Sequence, residues 1–478
     1  MTIYLDDLQQ VAHRYLRDRD RACLFDEPGY GKTHPTLFAA MDRYEDGHPI
    51  LLTVPAYLIP NWIREIRASF GEDATVAAAN GDGFIARTAA FEANTHFVLT
   101  SYNNWSTFDG DGVKAPKKLR YQQLHRRKWS AMAFDEAHRL RGRNSIWTKE
   151  LWRTQNVDAR NRTTPLWLLT GTPLVRDPGD IFPLLKLMDK TVFTSYWNFV
   201  EQWCVCTQTP WELEVGQLKQ GLEERFWKMV SQFALRRLTS EHPVLSQLES
   251  IELPTIEVTL PKSVYDTIRR AKKEYILAHP DLDHDEYLDG GGALYNKLRE
   301  ITTRPPTQAN PKLEALFDWY NDVPVADRTI VYCWYRDTAT MVAEALRKRL
   351  NPGKTTTRPV VRCTGDDTDR QIDDRIELWK ATPGAVIVAN IARLKEGVNL
   401  QAGNRIMFLE ETELPSDMEQ CIARSCRRGQ TRPVYWQSIR ATKSEDVTVA
   451  RVRKMRAEGI DRATIRTVRK DALMGENA

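Results

Sequence analysis

"RACLFDEPGYGKTHPTLFAAM", residues 21–41, places a short apolar run, a glycine-containing turn and a helix-like segment in immediate succession. "RACLF" has the length and composition of a buried strand. "KTHPTLFAAM" has helical spacing, and Pro35 falls in its first turn, where the missing N–H costs nothing. Strand, turn and helix in that order aim backbone N–H groups at a helix N-terminus, where they bind phosphate oxygens. Lys32 would then reach the β and γ phosphates of a nucleotide, and the Thr33 hydroxyl would ligate Mg2+. The strict pattern G-x-x-x-x-G-K-[ST] fails at one place, because Asp26 stands where its first glycine belongs. Gly-Lys-Thr alone reads equally well as an ordinary polar turn.

The alternation continues on both sides of the chain's midpoint. "PILLTVP", "THFVLTSY", "KWSAMAF" and "PLWLLTG" follow in the first half; "RTIVYCWY", "PVVRCTG", "GAVIVAN", "NRIMFLE" and "PVYWQSI" occupy the second. Helical patterns such as "ATMVAEALRKRL" and "DRQIDDRIELW" lie between the latter, which predicts parallel sheets covered on both faces. A chain of 478 residues exceeds what one core supports, so two α/β doubly wound parallel-sheet lobes are expected. Their bounds are set at 1–240, with a helical insertion over about 190–240, and 241–478, with one over about 258–305 and a basic C-terminal helix. That last helix, "SEDVTVARVRKMRAEG", has Ser444 as N-cap and Gly459 as its stop, with Arg451, Arg453, Lys454 and Arg456 facing outward.

Composition narrows the class. Apolar residues make up 42% of the chain and the net charge is only +4, so a polyanion-binding surface must be a local patch. The seven cysteines are scattered without a paired Cys-x-x-Cys arrangement, which fits free thiols in a reducing cytosol. The start "MTIYLDDLQQ" has no leader pattern, and no apolar run nears the ~20 residues that span a bilayer. A cytoplasmic protein without membrane contact is expected.

The second chemical signal is "SAMAFDEAHRLRG", residues 130–142, where an apolar run ends in Asp135, Glu136, Ala137 and His138. Carboxylates at the C-terminal edge of a buried parallel strand sit where such sheets bind ligands. Asp135 can hold Mg2+ through water, and Glu136 can orient and deprotonate an attacking water. An isolated Asp-Glu pair is otherwise a solvated strand end, a reading that loses ground behind a Gly-Lys-Thr loop.

"FDEPGYGKT" resembles the first motif of the Swi/Snf-type branch of helicase superfamily 2, which writes an aspartate at the place of Asp26. "LLTVPAYLIPNWIREI", "FDEAHRLRGRNS" and "LLTGTPLVRDPGDIFPLLKLM" are similar to the next motifs, the acidic one being of DEAH type. In the second half, "TIVYCWYRDTATMVAEAL", "ANIARLKEGVNLQAGNRIMFLEE" and "QCIARSCRRGQ" resemble the fourth to sixth, and "FALRRL" and "LYNKLREITTRP" the connecting pieces. The likeness runs from about residue 5 to about 460 and implies two RecA-like lobes.

The resemblance implies roles. Asp26, Gly29, Gly31, Lys32, Thr33 and Gln420 would hold ATP, with Mg2+ on Thr33 and Asp135. Gln9 would read adenine, a surface helix glutamine being the rival reading. Thr170, Thr172 and Gly397 would couple nucleotide state to the track-binding surface. His138 would join them, or be a buried histidine with no such role. Arg424 and Arg427, spaced i and i+3 on the "DMEQCIARSCRRG" helix, would stabilise the charge of the transferring phosphoryl group as arginine fingers; a solvated helix face is the alternative.

Expected DNA contacts are Asn61, Trp62, Thr100, Ser101, Tyr102, Asn399 and Gln401, with Lys395 meeting a phosphate. "KAPKKLRYQQLHRRKW", residues 114–129, interleaves Tyr121 and Trp129 with basic residues, as a phosphate-tracking loop or a solvated basic loop would. The chain departs from the family at Pro28 and Tyr30, at Arg393, Leu394 and Lys395 in place of Ala-Gly-Gly, and at Glu413, Leu414 and Pro415 in place of Trp-Asn-Pro.

The resulting expectation is a monomeric ATP-dependent translocase on duplex or branched DNA, a compact bacterial or phage factor acting on replication or recombination intermediates. A DEAH-type RNA helicase and a non-hydrolysing nucleic-acid clamp are the alternatives.

Overall fold

The computed structural model describes residues 4–81, 83–108, 118–157, 164–175, 177–208, 213–278, 293–307, 309–352, 358–394, 398–427 and 429–457. The chain forms two compact units, Met1–His242 and Pro243–Ala478.

The first unit is built on a seven-stranded parallel sheet. Its order is Ala234–Leu235, Arg21–Leu24, Leu166–Leu169, Met132–Asp135, Ile50–Val54, Phe97–Ser101, Val76–Ala78. Side chains alternate across it with the period of two that a pleated strand imposes. Cys23, Leu51, Val98, Met132, Phe134, Leu166 and Leu168 enter one core. Ala22, Leu24, Leu52, Leu99, Ala133, Trp167 and Leu169 enter the other. Helices Asp7–Arg17, Thr33–Asp42 and Ile59–Phe70 contribute Ala12, Leu16, Leu37, Ala40, Trp62 and Ile66 to this second core. Burial on both faces is why these strands read as nearly continuous apolar runs.

The second unit repeats the plan. Its strands run in the order Ser250–Glu252, Val434–Ala441, Arg405–Phe408, Thr329–Cys333, Val386–Asn390, Val360–Cys363, all parallel, and Ile256–Val258 pairs with the far end of Val434–Ala441. Ile330, Tyr332, Ile387, Ile406 and Phe408 pack on one face. Val331, Cys333, Val386, Val388 and Met407 pack on the other. The two α/β doubly wound lobes expected from the sequence are present.

The region 190–240 is mixed rather than helical. Helix Tyr196–Trp203 leads into an antiparallel pair, Cys204–Gln208 with Leu213–Leu218, and helix Glu223–Val230 leads into strand Ala234–Leu235. The hairpin hides from pattern reading because Cys204 is buried while Val205 and Thr207 are exposed, so its apolar residues do not form a clean stripe. Ala234–Leu235 is too short to show any period and becomes a strand only by pairing with Arg21–Leu24.

The region 258–305 does supply helices, Lys262–Ala278 and Ala293–Thr303, around a small core of Leu260, Val264, Ile268, Leu294 and Leu298. The C-terminal helix Glu445–Ala457 is anchored there: Lys272 and Lys312 pair with Glu445 and Asp446 at 2.6 and 2.7 Å. The Ser444 hydroxyl accepts the Asp446 N–H at 3.2 Å, the cap expected of it, whereas Gly459 lies outside the described residues. Arg453 and Arg456 do not face outward; they pair with Glu411 and Glu413 at 3.4 Å each, because the helix lies across the acidic edge that follows Arg405–Phe408.

Candidate active site

The loop between Arg21–Leu24 and Thr33–Asp42 takes a shape that requires its two glycines. Gly29 and Gly31 have φ of 98° and 72°, left-handed values that L side chains avoid. At Gly31 there is no room either, since a Cβ would come within 2.7 Å of the Gln9 Nε2. Gln9 reaches this point from the first turn of Asp7–Arg17, where it forms a reciprocal cap with Asp6, and its Nε2 donates to the Gly31 carbonyl at 3.3 Å. Lys32 donates to the Asp26 main-chain carbonyl at 2.8 Å, which keeps its ammonium over the loop.

Asp26 does not present its carboxylate to a ligand, contrary to the expectation. It is buried, and the Arg237 guanidinium takes both oxygens, Nε to Oδ1 at 2.9 Å and Nη2 to Oδ2. Arg237 also donates to the Leu8 carbonyl at 2.7 Å. Tyr30 joins the same brace: its hydroxyl donates to the Leu238 carbonyl at 2.8 Å, His242 meets its ring edge-on at 4.8 Å, and Arg237 lies 4.8 Å from its centroid. Glu27 accepts from the Thr239 N–H and hydroxyl at 2.8 and 2.7 Å. The loop is therefore fastened along its length to residues 237–242, and Tyr30 is the residue that a smaller leucine could not replace in kind. Pro28 fits against Gly171, where a Cβ would come within 2.9 Å of the proline Cδ.

Asp135 ends strand Met132–Asp135, and Glu136 follows at φ 50°, ψ 47°, a left-handed conformation that costs a non-glycine residue about 1–3 kcal/mol. The Asp135 carboxylate supports that turn by accepting the Glu136 N–H at 3.0 Å on Oδ1. Its Oδ2 accepts the Trp62 indole N–H at 3.0 Å, and its main-chain carbonyl accepts the Tyr102 hydroxyl at 2.6 Å. Burial and the neighbouring Glu136 charge push the Asp135 carboxyl up to about 7, against the Trp62 hydrogen bond and the Lys32 charge, which favour the ionised form.

His138 links this acid pair to the next strand. Its Nδ1 lies 3.3 Å from Glu136 Oε2 and 3.1 Å from the Thr170 hydroxyl, which in turn accepts the Thr172 N–H at 3.1 Å. Thr170 and Gly171 follow strand Leu166–Leu169, so one short turn touches both the acidic pair, through His138, and the phosphate-type loop, through Pro28.

In the second unit, helix Pro415–Ala423 stops before the arginines: Arg424 is its C-cap and Arg427 lies beyond, so the two do not share a helix face. The chain turns here to hold the preceding loop. The Leu400 N–H donates to the Arg424 carbonyl at 3.0 Å, and Gln430 Nε2 donates to the Gln401 and Gly403 carbonyls at 2.8 and 3.1 Å. Gln420 and Arg424 are buried, and the Arg424 Nε finds no hydrogen-bond partner among the described residues. Arg427 Nη1 faces the Val398 carbonyl at 3.5 Å. Lys395 and Gly397 lie outside the described residues.

The expected nucleic-acid contacts divide. Asn61 is half-buried, with its Oδ1 accepting from Arg64 at 3.2 Å; Asn399 is exposed and its side chain bonds that of Gln401 at 3.2 Å. Trp62, Thr100, Ser101 and Tyr102 are buried, which corrects their assignment as surface contacts. Trp62 and Tyr102 bond Asp135 instead, and Thr100 accepts from Asn104 at 2.9 Å. Tyr121 and Trp129 also belong to the core, so they offer no stacking platform. Aromatic rings between basic residues were a compositional signal; packing into the core, with Tyr121 against Phe84 and Phe91, turned the rings inward.

The residues fit a nucleoside triphosphate with a hard divalent cation. Gly29 and Gly31 give the turn a left-handed backbone that larger residues avoid, and the Thr33 hydroxyl and Asp135 carboxylate are hard oxygen donors. Among the described residues there is no cluster of three or more histidine, cysteine, aspartate or glutamate side chains that could hold a metal ion by themselves.

A phosphate-type loop with an acidic strand end, on a doubly wound parallel sheet, defines a nucleotide-binding α/β lobe. The SNF2-related domain matches residues 8–271, and the chain belongs to that family, the Swi/Snf-related ATPases of helicase superfamily 2. It is 22% identical over 456 residues to the SWI/SNF-related matrix-associated actin-dependent regulator of chromatin subfamily A-like protein 1 of Drosophila melanogaster, covering 94% of this chain and 54% of that protein. It is 22% identical over 465 residues to the Zorya protein ZorD of Escherichia coli O139:H28, covering 90% of this chain and 41% of that protein. A solved structure of a Sulfolobus solfataricus SWI2/SNF2 ATPase core in complex with dsDNA aligns over 100% of this chain and 96% of that one at 17% identity, with a TM-score of 0.43 too low to carry an argument. The chain spans about half the length of the curated relatives it matches.

Proposed function

We propose that this chain hydrolyses ATP, with Mg2+, to move along duplex or branched DNA. The observation that carries the reading is one chain of contacts, from the phosphate-type loop at Pro28 to Gly171, and from the adjoining Thr170 through His138 to Glu136 and Asp135. Bound ATP would supply the phosphoanhydride bond whose cleavage drives movement, and Mg2+ would neutralise its phosphates. Lys32 would hold the β and γ phosphates, Thr33 and Asp135 would hold the cation, and Gln9 would keep one amide hydrogen and one oxygen lone pair free for adenine. Glu136, turned by its left-handed backbone, would orient the attacking water and take its proton. Arg424 and Arg427 would supply guanidinium charge, an effect worth roughly 10³–10⁵ in rate where an arginine finger acts.

DNA as the track rests on the family and on its relatives' names, among them a chromodomain-helicase-DNA-binding protein of Homo sapiens that is 29% identical over 255 residues. Grip on a sugar-phosphate backbone through Asn61, Asn399 and Gln401 would be independent of sequence and sensitive to salt. We place the chain as a monomer in the cytoplasm, remodelling replication or recombination intermediates. Hydrolysis assayed with duplex DNA, branched DNA, single-stranded DNA and RNA tests the reading, with Lys32→Ala and Glu136→Gln as inactive controls. Stimulation by RNA alone would make this an RNA helicase, and no hydrolysis under any condition would make it a clamp.

A further inference from the structure

Two aromatic side chains that the sequence assigns to the nucleic-acid surface point the other way. Trp62 comes from helix Ile59–Phe70, after strand Ile50–Val54; Tyr102 comes directly after strand Phe97–Ser101. Both are buried, and both spend their one polar hydrogen on Asp135, at carboxylate Oδ2 and at the main-chain carbonyl respectively. With Oδ1 taken by the Glu136 N–H, the plane of the carboxylate is set by donors on both of its oxygens. Tyr102 holds the backbone on which that carboxylate is mounted, and its ring packs beside Phe134 and Trp147.

We propose that Trp62 and Tyr102 are positioning residues for the cation-binding carboxylate of Asp135. This rests on the ATPase reading above. An indole N–H fixes the rotation of Asp135, so one oxygen lone pair stays directed where the cation must sit; a phenol on the carbonyl prevents the strand end from drifting. Groups that orient metal ligands in this way typically change metal affinity tenfold to a hundredfold when removed. Neither ring is needed to touch substrate. Their immediate neighbours Asn61 and Asn103 are half-buried and exposed, so adjacent residues of these two segments face opposite ways, one toward Asp135 and one toward solvent.

The test uses the full chain and a fluorescent non-hydrolysable ATP analogue, with Mg2+ titrated from EDTA upward. Trp62→Phe is expected to raise the Mg2+ concentration for half-maximal analogue binding about tenfold, while binding in EDTA stays at the wild-type level. Tyr102→Phe, which removes only a hydroxyl, is expected to shift it in the same direction and serves if Trp62→Phe fails to fold. A role confined to packing would lower the melting temperature and leave the Mg2+ midpoint in place. A folded variant whose midpoint stays within about twofold of wild type would overturn the inference. Wild-type chain that binds no analogue at any Mg2+ concentration would overturn the ATPase reading and this inference with it, a result distinct from normal wild-type binding with unshifted variants.

Discussion

Asp26, buried, and Arg237, half-buried, form an ion pair between residues 211 positions apart, and through it the phosphate-type loop is fastened to the strand Ala234–Leu235 and the turn after it. The aspartate that breaks the generic loop pattern is therefore a structural anchor. Removing one partner of a buried pair leaves an uncompensated charge, at a cost of about 3–5 kcal/mol. Arg237→Ala should destabilise the chain by about that amount in urea unfolding, and Asp26→Gly, although it restores the generic pattern, should destabilise as well. If Asp26→Gly is neutral, the pair is not the anchor.

Pro28 and Gly171 are the second such relationship. Gly171→Ala would drive a methyl to 2.9 Å from the Pro28 Cδ, and overpacking of this kind costs about 1–3 kcal/mol. Loss of ATP hydrolysis should accompany the loss of stability, because the same turn carries Thr170. Adding Pro28→Ala to Gly171→Ala should restore part of both; strictly additive losses in this double-mutant cycle would show that the two positions do not communicate.

His138 sits between Glu136 and Thr170 at 3.3 and 3.1 Å. His138→Ala should leave ATP-analogue affinity within about twofold and reduce DNA-stimulated hydrolysis about tenfold or more, the pattern of a lost transition-state interaction. Equal losses in affinity and turnover would place His138 in ground-state binding instead.

Acid stability should report on Asp367 in the second unit. Burial pushes its carboxyl up, but hydrogen bonds from Arg375, the Thr364 N–H, Arg362 and the Thr364 hydroxyl outweigh that and bring it down to about 2. A depressed carboxyl stabilises fully above its unfolded value of about 3.9 and loses the contribution as pH falls through the folded value. Asp367→Asn should therefore melt lower than wild type at pH 6, with the difference shrinking below about pH 4 and vanishing near pH 2. A difference that persists unchanged to pH 2 would mean that packing, not charge, accounts for it.

Much of the local structure could be read from the chain because it depends on neighbours a few positions apart. Strand periodicity, Gly31 and Lys32 in their turn, Pro35 in a first helical turn, and carboxylates at a strand's end are all local statements. The end of helix Pro415–Ala423 just before Arg424 was not visible, because the turn there is held by a bond from the Leu400 N–H and by bonds that Gln430 donates to the Gln401 and Gly403 carbonyls, residues of another loop.

The sequence by itself determined the strand-helix alternation of two doubly wound lobes, the loop that suits a phosphate and an acidic pair at a strand's end, since each follows from short-range geometry. Only the tertiary structure decided that Asp26 and Tyr30 brace the loop against residues 237–242, that Pro28 rests on Gly171, and that Trp62 and Tyr102 turn inward to hold Asp135. A parallel sheet brings together strand ends separated by tens to hundreds of residues, and which buried polar hydrogen meets which buried oxygen is settled by that packing, where an unpaired group would cost about 1–3 kcal/mol.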